Sequence, residues 1–351
     1  MFQTENCKYI FYASNLISFY NSLEIIKKYN IPGNNCIFYS PRKHINYKII
    51  PSKSSVIEFK NIESLSILSF KSLINLIKNF YYNYKILKRE LKGTNYIVFL
   101  PHLINYREQT IVFNRRCKGY CYVEEGLPAY MDIISPYNLV KRYFIERILN
   151  LLINREFIPR FIKTMNQDSD KFLFAFGNFK TSFSTSNKKI ILKNSFPKNK
   201  KEINLLPRNS HLFVIDHIKG LPCSEKIYFE CFAAILKKLK KAKNSNVYIK
   251  LHPNLKYSPE TKHTFEQLCK AENLNAIILE ENFFIEGYLK YQPNINLYGL
   301  KSASLVYGIL FGAKVHCFSN YYKKNKIKDE KIYLIEKFVQ TNKLSDNIIF
   351  I

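Results

Sequence analysis

With 351 residues, 47% of them hydrophobic and 15% aromatic, the chain can fill two α/β domains and is too apolar to stay disordered. Its formal net charge of +27 suits anionic partners (nucleic acid, an anionic membrane leaflet or an acidic polysaccharide) and equally a biased composition that serves solubility. No zinc-finger spacing and no RRM-type aromatic-glycine motif accompanies that charge, so nucleic acid is not the expected partner.

In chain order, residues 1–6 carry no charged n-region or apolar h-region, so no signal peptide is expected. Residues 8–12 read as a strand and 16–29 as a helix. Short apolar runs at 35–39 and 56–59 read as further strands, and 73–91 as a long basic amphipathic helix. Strands follow at 96–100 and 119–123. Residues 140–152 mix basic and apolar positions at helical spacing; they suit either an amphipathic core helix or one lying on an anionic leaflet. Residues 181–209 are rich in Ser, Asn, Lys and Pro and read as a linker, with one strand at 189–192.

The second half repeats the alternation. Strands are expected at 211–215, 246–251, 275–279, 294–298 and 314–318, and helices at 225–241, 261–272 and from about Ser302. Residues 323–331 read as a charged solvated loop. Short apolar strands alternating with helices imply parallel sheets of the doubly wound α/β kind. The expected division is an N-terminal Rossmann-like domain over 1–180 and the linker over 181–209. A C-terminal Rossmann-like domain over 210–335 and a tail or helix over 336–351 follow. A ligand would lie in the cleft between domains, at the carboxyl ends of the strands.

Eight cysteines (Cys7, Cys36, Cys117, Cys121, Cys223, Cys231, Cys269 and Cys317) form no CxxC pair and are too sparse for a secreted disulfide framework. Free buried thiols and a cytoplasmic setting are expected. No uncharged apolar stretch reaches the ~18 residues of a membrane span.

Three short motifs fall directly after expected strands. Glu124-Glu125-Gly126 places two carboxylates at a strand end, with a glycine that permits a tight turn. Mutual repulsion of adjacent acids can raise one toward the range of a general base, although an ordinary acidic turn has the same sequence. His252-Pro253 aims an imidazole beyond its strand, where it can meet a phosphate or serve as a turn histidine. Gly299-Leu300-Lys301-Ser302-Ala303-Ser304 opens a helix, where a serine cap and free N–H groups form an anion site or simply a cap. Asp216-His217 also follows a strand and reads as a loop pair or a cleft residue. From composition, an acid-acid-Gly triplet is expected roughly 0.06 times and a His-Pro pair roughly 0.26 times per chain, so strand-end context matters.

At these residues the chain resembles the bacterial sialyltransferases: the lipooligosaccharide and O-antigen enzymes of glycosyltransferase family 52 and the capsule polysialyltransferases of family 38. The resemblance implies a GT-B fold with an acceptor-side domain over 1–180 and a CMP-sugar-binding domain over 210–335, a CMP-sialic acid donor, inversion at the anomeric carbon, and no required metal or other cofactor. It implies Glu125 as the base, with Glu124 beside it, and His252 at the donor phosphate. Gly126, Pro253, Gly299, Ser302 and Ser304 would complete the binding set, with the acting serine left open by the Ser-Ala-Ser spacing. The implied acceptor is a surface glycan, lipid-linked or lipooligosaccharide, reached at the inner face of the cytoplasmic membrane. A polysialyltransferase, a Kdo transferase and an inactive glycan- or membrane-binding module of the same fold are the alternatives.

Overall fold

The structure, a computed structural model, describes residues 7–40, 47–57, 70–103, 108, 111–112, 114–130, 167–193, 195–198, 206–216, 224–239, 246–252, 259–280, 283–327, 330–344 and 346–351. The expected helix at 140–152, together with Pro253, His217 and Cys223, lies outside these. The chain divides into two compact units, Met1–Ser195 and Phe196–Ile351.

The first unit holds a seven-stranded sheet. Its strands are β1 (Cys7–Tyr12), β2 (Cys36–Tyr39), β3 (Ser55–Ile57), β4 (Asn95–Leu100), β5 (Cys117–Val123), β6 (Phe172–Gly177) and β7 (Lys189–Ile191). Their order is β3-β2-β1-β4-β5-β6-β7, and every neighbouring pair is parallel. Strands β1, β2, β4 and β5 are buried almost throughout, as apolar runs covered on both faces require. Helix α1 (Leu16–Lys28) follows β1, and α2 (Phe70–Leu91) precedes β4. The core is aromatic: Phe11 stacks on Phe99 at 4.5 Å and on Phe38 at 5.5 Å. β6 was not anticipated. β7 is the strand foreseen inside the expected linker; it pairs with β6 and so belongs to the first sheet.

The second unit repeats the winding. Strands β8 (His211–Val214), β9 (Asn246–Lys250), β10 (Asn275–Ile278), β11 (Asn296–Gly299), β12 (Lys314–Cys317) and β13 (Ile348–Phe350) take the order β10-β9-β8-β11-β12-β13, again all parallel. Helices α3 (Glu225–Leu239), α4 (Pro259–Ala271), α5 (Ile285–Tyr291), α6 (Ala303–Phe311), α7 (Ser319–Lys324) and α8 (Leu334–Asn342) connect them. Tyr298 is sandwiched between Phe213 at 4.6 Å and His316 at 4.4 Å, both rings nearly parallel to it.

Two details are added here. Of the tail or helix expected at 336–351, the helix is present: α8 buries Ile335, Phe338 and Val339, and the unforeseen β13 joins the sheet beside β12. The charged run at 323–331 is in part helical, and Lys323 meets Glu336 at 2.6 Å. The seven described cysteines are buried and free. No helix among the described residues is long and apolar enough to cross a membrane.

Candidate functional site

In each sheet the winding reverses direction between two central strands, β1 and β4 in the first and β8 and β11 in the second. The carboxyl ends flanking such a point are where open α/β sheets bind ligands.

In the first unit, β5 runs into Glu124-Glu125-Gly126. Glu124 is fully buried. Its Oε1 accepts from the Tyr130 hydroxyl at 2.6 Å; its Oε2 accepts from the Asn178 N–H and the Ser182 hydroxyl, each at 2.6 Å. Its backbone N–H donates to the Phe176 carbonyl, and its own carbonyl accepts from the Asn21 amide at 2.9 Å. Gly177 makes this clamp possible, since a Cβ there would lie 2.6 Å from the Ser182 Cβ. A carboxylate so placed ties the loops after β5 and β6 together and has no open side toward solvent.

Glu125 is only half-buried. Its Oε1 accepts from the Ser14 hydroxyl at 2.6 Å, and its carbonyl accepts from the Asn15 amide at 2.8 Å. Asn15 caps α1 in a reciprocal box with Ser18, so the glutamate is anchored to the turn between β1 and α1. Gly126 sits at φ +148°, a conformation L side chains rarely adopt, so the glycine is required. After β4 comes His102, which sequence reasoning passed over. Its Nδ1 is buried with no hydrogen-bond partner among the described residues.

In the second unit, three neighbouring strands β9, β8 and β11 bring His252, Asp216 and the Gly299–Ser304 turn to the same end of the sheet. His252 is half-buried, two residues beyond β9. Asp216 is buried and bridges the switch point: its Oδ2 accepts from the Leu300 N–H and its Oδ1 from the Lys301 N–H, each at 3.2 Å. Burial pushes its carboxyl up to about 6, with the two N–H groups and the Lys301 charge opposing. Gly299 lets the strand pass close to β8: a Cβ would sit 3.1 Å from the Val214 carbonyl oxygen.

The two serines have different work. Ser302 caps α6, its oxygen accepting from the Ser304 N–H at 3.2 Å. Half-exposed, it uses only its acceptor there, leaving its O–H able to donate to a ligand. Ser304 is buried and donates to Glu286 Oε1 at 2.6 Å. Glu286, on α5, is buried and its carboxyl is raised by that burial, with the Ser304 bond and the Lys250 charge pulling against it. Neither Glu286 nor α5 was anticipated: a seven-residue helix without a side-chain cap leaves little trace in sequence.

No protein-family model matches the chain, and no curated protein matches it. Solved structures do. UDP-GlcNAc 2-epimerase from Methanocaldococcus jannaschii aligns at TM-score 0.52 and 11% identity, over 98% of this chain and 88% of that one. The same kind of enzyme from that organism, in complex with UDP-GlcNAc and UDP, aligns at 0.51 and 12%, over 97% and 93%. The glycosyltransferase of kitacinnamycin aligns at 0.50 and 6%, over 98% and 85%. The fold is GT-B. Both Rossmann-like units of this GT-B chain thus fall within alignments that span nearly its whole length. At these identities the likeness is one of fold, and the chemistry has to be argued from the residues.

Proposed function

We propose that this GT-B chain is an inverting glycosyltransferase that moves sialic acid from CMP-sialic acid onto a surface glycan. The observation that supports it most is placement: the acid-acid-Gly, His and serine motifs stand at strand carboxyl ends in the two units, in the order of the sialyltransferases they resemble. Glu125 takes the proton of the acceptor hydroxyl as that oxygen attacks the anomeric carbon. The bond from that carbon to the phosphate oxygen breaks, and CMP leaves with the electron pair. His252, the Ser302 hydroxyl and the first N–H groups of α6 stabilise the charge gathering on the phosphate. No metal has a part in this scheme. A lipid-linked or lipooligosaccharide acceptor, reached from the cytoplasm at the inner membrane face, completes the reading; polysialyl and Kdo transfer use the same chemistry.

A second reading, a UDP-sugar donor, is favoured by the UDP complex among the structural matches. The two are separated by measuring release of CMP from CMP-sialic acid and of UDP from UDP-GlcNAc, each with and without a galactose-terminated acceptor and with and without EDTA. Acceptor-dependent CMP release that persists in EDTA is the expected result. UDP release without CMP release overturns the proposal.

A further inference from the structure

Helix α2 carries an outward face that the donor chemistry does not use. Among the described residues the exposed large hydrophobic side chains are Ile49, Ile74, Tyr81, Tyr82 and Ile349, and three of these lie on α2. Lys78, Lys85 and Lys88 are exposed on the same helix. At 100° per residue, Ile74, Lys78, Tyr81, Tyr82, Lys85 and Lys88 fall within a sector of about 120°. Asn83, Leu87 and Leu91, which are buried, fall on the opposite side. The face is therefore apolar and basic together, with Lys85 held over the Tyr81 ring at 4.7 Å. The 22-residue helix has five basic residues and one acid, Glu90, which the neighbouring Arg89 engages at 3.2 Å.

We propose that this face of α2 docks the first unit onto an anionic lipid surface, with the helix lying in the plane of the interface. Tyrosine rings suit that boundary, with an apolar body toward the acyl chains and a hydroxyl toward the headgroups. Each lysine near an anionic leaflet adds to the attraction. The helix is too polar to span the membrane. A second copy of the chain is a poor occupant, because at +27 two copies repel each other. The proposal is independent of the donor and needs only that the acceptor or product be met at a membrane.

The test is sedimentation of the whole chain with vesicles of phosphatidylcholine alone or phosphatidylcholine doped with phosphatidylglycerol, at low and physiological salt. The wild-type chain is expected to prefer the anionic vesicles, and added salt to weaken that binding. The double variant Lys78→Glu/Lys85→Glu is expected to lose the preference, at least about tenfold in partition. Tyr81→Ser/Tyr82→Ser should lower binding at both salt concentrations, most visibly where screening leaves only the apolar contribution. Turnover of a soluble acceptor, scored separately, should be unchanged in both variants. Equal binding to the two vesicle types overturns the proposal, as does wild-type binding by either variant. So does a concentration-dependent dimer in light scattering that the tyrosine variant abolishes, or binding to DNA without binding to vesicles.

Discussion

Glu124 and Asp216 do comparable jobs in the two units, each a buried carboxylate just beyond a core strand holding a turn at the carboxyl end of its sheet. Glu124 is held by two hydroxyls and a backbone N–H at 2.6 Å. Asp216 has two backbone N–H groups at 3.2 Å, and burial outweighs them. Hydroxyls rotate to meet an anion, whereas backbone donors stay where the turn puts them. The first turn is pinned by a clamp adjacent in sequence to the candidate base; the second hangs on a group that titrates near pH 6.

The largest expected effect separates the two neighbouring acids. Glu125→Gln should lower kcat by ~10²–10⁴-fold with donor KM nearly unchanged, because the base acts on the acceptor. Glu124→Gln should act on stability instead. One amide replaces an all-acceptor carboxylate and turns donors toward donors, at a cost of about 1–3 kcal/mol in urea denaturation. If Glu124→Gln loses turnover while its unfolding midpoint holds, the roles of the two acids are exchanged.

Asp216 provides a comparison by pH. Its folded pKa is raised from 3.8 to about 6, so its contribution to stability is full below about pH 4 and is lost as pH rises through 6. At ~1.4 kcal/mol per pH unit the ionised form costs the fold about 3 kcal/mol at neutrality. Asp216→Asn cannot ionise. The melting temperature of the wild-type chain minus that of the variant should therefore fall between pH 4 and pH 7. A difference that grows over that range would mean the two N–H bonds outweigh burial.

The smallest effects concern the serines. Ser302→Ala should cost about 1 kcal/mol for the lost cap and raise donor KM. Ser304→Ala should cost stability alone, by a similar ~1 kcal/mol, as Glu286 loses its hydroxyl partner. A donor KM that responds only to Ser304→Ala would reassign the phosphate contact.

What the sequence disclosed follows from range. Strands such as β4 and β5 are apolar runs with sharp borders, and the Ser302 cap announces α6, so these were legible. Glu125-Gly126 was legible because a strand end, an acid and a required glycine are contiguous. Its partner Ser14 is 111 positions away, and the Leu300 N–H that meets Asp216 is 84 away; no local pattern encodes either. The short helices α5 and α7 have no side-chain cap, and β13 has three residues, too few for a period to show. Glu124 and Glu125 look equivalent as letters, and only packing tells the clamp from the half-buried acid.

The winding of the sheets has a consequence for how the chain comes to be folded. Among the described residues, all seven strands of the first sheet precede residue 192, all six of the second follow residue 210, and the two sheets share no strand. Parallel pairs close long loops rather than hairpins, which makes each sheet slow to form. During synthesis the first sheet can nevertheless be completed while the second is still being made, since it waits for no later strand. The vulnerable interval then belongs to the second unit. Its central pair, β8 and β11, cannot meet until residues 296–299 have been made, so β8 must wait with one of its two ladder edges unpaired.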